Sequence, residues 1–188
     1  MNKIIRKQIN ANVLHTKSTD KVVCIFGYAT IFGVADLEND IIHKGAFSSS
    51  LKNWHNKKSL PFLLWQHDIS SPIGKWIKIA EDKNGLAVQG NIYTDTSAGH
   101  DAYVFLKNKV ATSLSIAFEL LNSKSIGNTR HIYQVNLVEI SVVLNPAHPE
   151  AKILDFQQNT SLKKMLKFHN LTTKNTKHNL YYKMKHVM

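Results

Sequence analysis

The chain lacks most of the features that would tie it to a familiar chemistry. A single cysteine, Cys24, stands among 188 residues, so no internal disulfide forms and a reducing compartment is expected. Cys24 lies in the apolar run Val22 to Phe26 with no basic neighbour, which predicts a buried thiol rather than a reactive one. No apolar run approaches the roughly 20 residues of a membrane span. The N-terminus, MNKIIRKQINANVLHTK, is basic but has no apolar stretch of signal-peptide length. A cytoplasmic protein with no membrane partner is therefore expected. Neither G-x-x-x-x-G-K nor G-x-G-x-x-G occurs, so nucleotide binding has no support. The ten histidines include no H-x-x-x-H or H-E-x-x-H pair, and a cysteine pair is missing. Only a spatial meeting of His43 with the His67-Asp68 step would make a metal site, and no metal or other cofactor is expected. The elbow G-x-S-x-G is absent as well, which excludes an α/β-hydrolase site.

Acidic residues are also few, 13 against 24 Lys and Arg, for a net charge of +11. The excess is uneven. From Asp155 to Met188, seven lysines (163, 164, 167, 174, 177, 183 and 185) face one aspartate, a net +6 and more than half of the total. A basic chain raises nucleic acid as a partner, and Phe168, Tyr181 and Tyr182 among those lysines would offer stacking surfaces. Charge confined to a tail says little about the domain before it, so a mobile basic tail is favoured over a nucleic-acid module. Such a tail suits any acidic surface, including a protein lattice.

The length and a hydrophobic content of 43% fit one soluble domain with a sizeable core plus a tail. Residues 1–20 read as an arm with an early strand, 21–155 as the domain, and 156–188 as the basic tail. Val22 to Phe32 is rich in β-branched and aromatic residues and predicts a strand, or two, with a glycine bend. Gly33 to Asp40 is a turn-rich connection. Phe47, Leu51 and Trp54 stand at i, i+4 and i+7 and predict a helix over Ala46 to His55. Leu60 to Gln66 reads as a short buried strand after which His67 and Asp68 follow. Ile73 to Ile79 and Leu86 to Tyr93 predict strands joined at Asn84-Gly85, a strong hairpin signal. Thr96 to Lys107 predicts a helix capped by Thr96 or Ser97. Val110 to Leu120, His131 to Val135 and Asn136 to Leu144 are further strands, and Asn145-Pro-Ala-His-Pro149 ends the last. About seven strands with two inserted helices predict a mostly-β (α+β) fold: a closed or nearly closed, mostly antiparallel barrel.

In the strand Val110 to Leu120, Leu114, Ile116, Phe118 and Leu120 alternate on one face. Ser113, Ser115, Ala117 and Glu119 take the other, which is either a plain polar surface or a platform for Ser115. A serine hydroxyl is a weak nucleophile until a base takes its proton. His67, at the end of a buried strand, fits that role by position. Ser113, two residues along on the same face, is the rival nucleophile. Glu139 is a carboxylate within the apolar strand NLVEISVVL. Buried and unpaired it would cost several kcal/mol, so it either faces solvent or has a partner.

An ordered series of motifs now stands out: G-Y-A-T-I-F at 27–32, I-I-H-K-G-A-F at 41–47, L-L-W-Q-H-D at 63–68 and P-I-G at 72–74. It continues with N-G-L-A-V-Q-G at 84–90, S-L-S-I-A-F at 113–118, L-V-E-I-S-V-V at 137–143 and N-P-A-H-P-E-A at 145–151. Over roughly 22–154 the chain resembles the prohead maturation proteases of HK97-like tailed phages. The resemblance implies a β-barrel serine endopeptidase of the herpesvirus-protease kind that removes capsid or scaffold segments inside the procapsid, in the bacterial cytoplasm. It places the family's histidine on His67, its nucleophile on Ser115 and an acidic third member on Glu139. Related viral proteases use a second histidine there, which makes His131 and His148 the substitutes. The family often has glycine where this chain has Ala117, whose methyl narrows the cleft. Implied partners are the major capsid protein or its scaffold segment, with self-association and self-processing as further possibilities. The other classes are a catalytically inactive capsid-associated barrel and the basic nucleic-acid module. A histidine base must be neutral to act, so activity resting on one should decline in acid.

Overall fold

A computed structural model describes residues 4–14 and 22–144. Among the described residues, eight strands and two helices follow one another as β1 (Ile4–Leu14), β2 (Val22–Ile31), β3 (Asp40–Ile42), α1 (Ser48–Asn56), β4 (Phe62–Trp65) and β5 (Asp68–Glu81). They are followed by β6 (Gly85–Tyr93), α2 (Ser97–Lys107), β7 (Ser113–Ile126) and β8 (Thr129–Val143). The strands form one curled sheet in the order β3-β8-β4-β5-β6-β2-β1-β7, and β7 pairs with β8 as well. Among the described residues no helix is long and apolar enough to cross a membrane.

The mostly-β character with two inserted helices and mostly antiparallel pairing is as expected from the sequence, with two parallel pairs as exceptions. β3 and β4 both run parallel to β8 and lie on either side of it. Parallel neighbours need a crossover connection, and α1 supplies it: β3, α1 and β4 are a βαβ unit into which β8 is inserted. A three-residue strand such as β3 leaves too short an alternating pattern to be read in sequence. The segments His131 to Val135 and Asn136 to Leu144 are one strand, β8. The strand expected from Ile73 begins at Asp68 instead.

Strand alternation fills the core. Val23 and Ile25, Leu86, Val88 and Ile92, Leu114, Ile116 and Phe118, and Ile132, Ile140 and Val142 are all buried in one apolar cluster. Each such side chain contributes about 1.5–3 kcal/mol on leaving water. α1 leans on β8 through Trp54, whose Nε1–H donates to the Leu137 carbonyl at 2.9 Å. Its N-terminus has no side-chain cap of its own. The Glu81 carboxylate takes that role, accepting from the amides of Gly45 and Phe47 and from the Ser48 hydroxyl at 2.9–3.1 Å. α2 is capped as expected: Thr96 Oγ1 accepts from the Gly99 amide at 3.1 Å. Cys24 is only half-buried; its thiol donates to Asn91 Oδ1 at 3.2 Å, and burial pushes its pKa up.

The Asn84-Gly85 hairpin exists, though neither residue has positive φ. The Asp82 carboxylate shapes the turn by accepting from the amides of Asn84 and Gly85 at 2.7 and 3.0 Å. Tyr28 donates its hydroxyl to the same carboxylate, and burial together with that bond pushes the phenol up to about 12. Gly85 is needed for close approach: a Cβ there would stand 1.9 Å from the Thr30 carbonyl oxygen on β2. Gly85→Ala should therefore destabilise the fold by about 1–3 kcal/mol or more, as overpacking does. Urea denaturation checks this, and an unchanged midpoint would show that the two backbones have room to part.

Candidate active site

β8 organises this region because β4 and β7 flank it over the same residues. Phe62 and Leu64 of β4 lie beside Glu139 and Ser141, while Ala117 and Ser115 of β7 lie opposite the same two residues. Alternate residues share a face. Leu63, Leu114, Ile116, Ile140 and Val142 face the main core, so Leu64, Ser115, Glu139 and Ser141 take the opposite face. That face is not an open polar surface: Ser113, Ser115, Ala117 and Ser141 are all buried.

β4 ends at Trp65 and β5 begins at Asp68, leaving Gln66 and His67 as a two-residue hairpin loop. Both have left-handed backbones, with φ of 54° and 64°. Two positive φ values in a row define the primed hairpin turn, usually made by Asn-Gly. With two side-chain-bearing residues it costs roughly 1–2 kcal/mol each. Contacts to β8 hold the turn in place: the Gln66 amide donates to the Val142 carbonyl at 3.0 Å, and the His67 amide donates to Ser141 Oγ at 3.2 Å.

The turn brings the His67 imidazole over the serine and the glutamate. His67 Nε2 lies 2.6 Å from Ser115 Oγ, and His67 Nδ1 pairs with Glu139 Oε1. An ionised carboxylate only accepts, so Nδ1 carries the hydrogen; in the neutral ring Nε2 is then the acceptor and the Ser115 hydroxyl donates. Glu139, 5% exposed, has its other oxygen filled by the Ser141 hydroxyl, which donates to Oε2 at 2.5 Å. The buried charge that raised a question in sequence therefore has two partners. Ser141 was missed; its signal was a second polar residue two places from Glu139 in an otherwise apolar strand.

The other candidates lie elsewhere. His131, the substitute third member, has its Nδ1 2.8 Å from Nε2 of His43, and both rings stack with Tyr133. His148 lies outside the described residues. Asp68 turns away from His67: its carboxylate accepts from the amide and hydroxyl of Ser70 and from the Ser71 hydroxyl, and those bonds hold it below the usual carboxylate range. His43 and Asp68 thus do not join His67. Among the described residues no three His, Cys, Asp or Glu side chains cluster as a metal site. Ser113 shares the face of Ser115, opposite Val143, but it is Ser115 that the imidazole meets.

The family model for the caudovirus prohead serine protease matches residues 10–168. The chain belongs to that family. It is 33% identical over 132 residues to the prohead protease of Enterobacteria phage HK97, covering 68% of this chain and 57% of that relative. It is 28% identical over 140 residues to the prohead protease of Escherichia phage T5, covering 73% of this chain and 65% of that one. The chain thus spans about three-fifths of the length of these relatives. Its fold is similar to that of the bacteriophage T4 capsid assembly protease, with a TM-score of 0.65 at 9% identity, over 77% of this chain and 98% of that one.

Removing the Ser141 hydroxyl would strip a buried carboxylate of one donor. Ser141→Ala is expected to lower stability by about 1–3 kcal/mol. In a Glu139→Ala background the same change should cost much less, and a double-mutant cycle by urea denaturation measures the coupling. Additive effects would mean that the hydroxyl does not support the carboxylate.

Proposed function

We propose that this chain is a serine endopeptidase that cleaves capsid or scaffold protein segments during prohead maturation, with Ser115 as nucleophile, His67 as general base and acid, and Glu139 as the group that orients the imidazole. The observation that carries this reading is the 2.6 Å contact of His67 Nε2 with Ser115 Oγ, made by a ring whose other nitrogen is fixed on a buried carboxylate. Family membership supports the same chemistry.

In this mechanism Ser115 Oγ attacks the scissile carbonyl carbon while its proton passes to Nε2. The carbonyl oxygen becomes an oxyanion, and Glu139 stabilises the imidazolium. The tetrahedral species collapses, the C–N bond breaks, and the proton moves from Nε2 to the leaving amine. Water then repeats the sequence on the acyl-enzyme, releasing the new carboxyl end and restoring the hydroxyl. Ser115 itself has no exposed surface, so the reaction requires a movement that admits the peptide.

The same reading takes residues 21–155, together with β1 of the preceding 1–20, which pairs with both β2 and β7, as the protease domain, closed into a barrel along the β7–β8 ladder. It takes 156–188 as a basic tail suited to acidic surfaces inside an assembling shell in the host cytoplasm. An inert barrel of the same fold has no need of a histidine in a strained turn bridging a serine and a buried glutamate.

Purified Ser115→Ala should keep the wild-type circular dichroism spectrum and lose cleavage of the cognate capsid precursor, read by mass spectrometry. Retained cleavage would remove Ser115 from the mechanism.

A further inference from the structure

The mechanism leaves the oxyanion without a partner, and among the described residues the structure leaves one buried side-chain donor without an acceptor. Among the described residues, the side-chain nitrogen of Gln66 is the sole buried side-chain polar atom that makes no hydrogen bond. Such groups are rare in native proteins because burying an unpaired donor costs free energy. This one sits in the turn whose two residues also carry strained backbone, next in sequence to His67. Two unfavourable features within a two-residue loop point to a use beyond stability.

Its position fits such a use. Gln66 follows Trp65, the last residue of β4, and directly precedes His67, whose ring meets Ser115. Its main-chain amide is tied to Val142, the neighbour of Ser141, and Ser141 stands directly opposite Ser115. The –NH2 of a glutamine donates two hydrogens and accepts none, so only an oxygen or another acceptor completes it. The peptide brings such an oxygen to Ser115.

Resting on the serine endopeptidase reading, we propose that Gln66 is a catalytic residue: its side-chain amide donates to the scissile carbonyl oxygen and strengthens that bond as the oxygen becomes an oxyanion. A donor held in place before the reaction needs no reorganisation when charge develops, which is why such groups act on kcat.

The test compares full-length wild-type protein with Gln66→Met, which keeps the length of the side chain and removes the donor, using the cognate capsid precursor as substrate. Expected are a kcat lowered about 100- to 1,000-fold, a KM within about twofold, and a melting temperature equal to or above that of the wild type, since an unpaired polar group has been removed. Unchanged kcat overturns the assignment. So does a raised KM with kcat retained, which would place the amide on a ground-state contact. A lowered melting temperature overturns it too, because the amide would then have a structural partner. Wild-type protein that leaves the precursor intact defeats the endopeptidase reading itself, a result distinct from an active wild type with an equally active Gln66→Met.

Discussion

The site depends on one buried carboxylate. Glu139 sits on a strand flanked on both sides, almost out of reach of water, where a lone charge would cost several kcal/mol. The fold meets that cost with the His67 ring on one oxygen and the Ser141 hydroxyl on the other. Because the imidazole is held from Nδ1, its Nε2 is directed at Ser115. The carboxylate thus fixes which tautomer is present as well as where the ring stands.

The strain in the turn follows from the same constraint. β4 and β7 lie on opposite sides of β8, so a residue continuing β4 in extended form would stay in the plane of its own strand. Reversing the chain within two residues, with both in the left-handed region, lifts His67 across β8 towards β7. Ser141 then ties the turn down from beneath by accepting the His67 amide. One hydroxyl thereby holds both the backbone of His67 and the carboxylate bonded to its ring, so imidazole and carboxylate move together.

Much of this was legible in the sequence where alternation was long. The core faces of β6 and β7 and both helices follow from periodicity, and Glu139 drew notice because an acid interrupts an apolar strand. What sequence hid was local. Gln66-His67 lacks the glycine or asparagine that marks a primed turn, so the hairpin passed for the end of a strand. β3 is too short to show a period, and without it the parallel crossover around β8 has no signature. Asn84-Gly85 marked the hairpin, but not the close approach of β2 that requires Gly85. His67 was a candidate partner of Ser115 by its place at a strand end, but the meeting of both with Glu139 came from the ordered motifs, since residues 48 and 72 positions apart carry no local sign of contact.

A fluorophosphonate probe reacts with a serine only when a base accepts the hydroxyl proton, forming a P–O bond and releasing fluoride. Labelling of the full chain, located by peptide mass spectrometry, therefore tests directly whether His67 activates Ser115. One adduct on Ser115 in the wild type, lost in His67→Ala, is the predicted result. An adduct on another serine, or labelling of Ser115 that is indifferent to His67, would contradict the account.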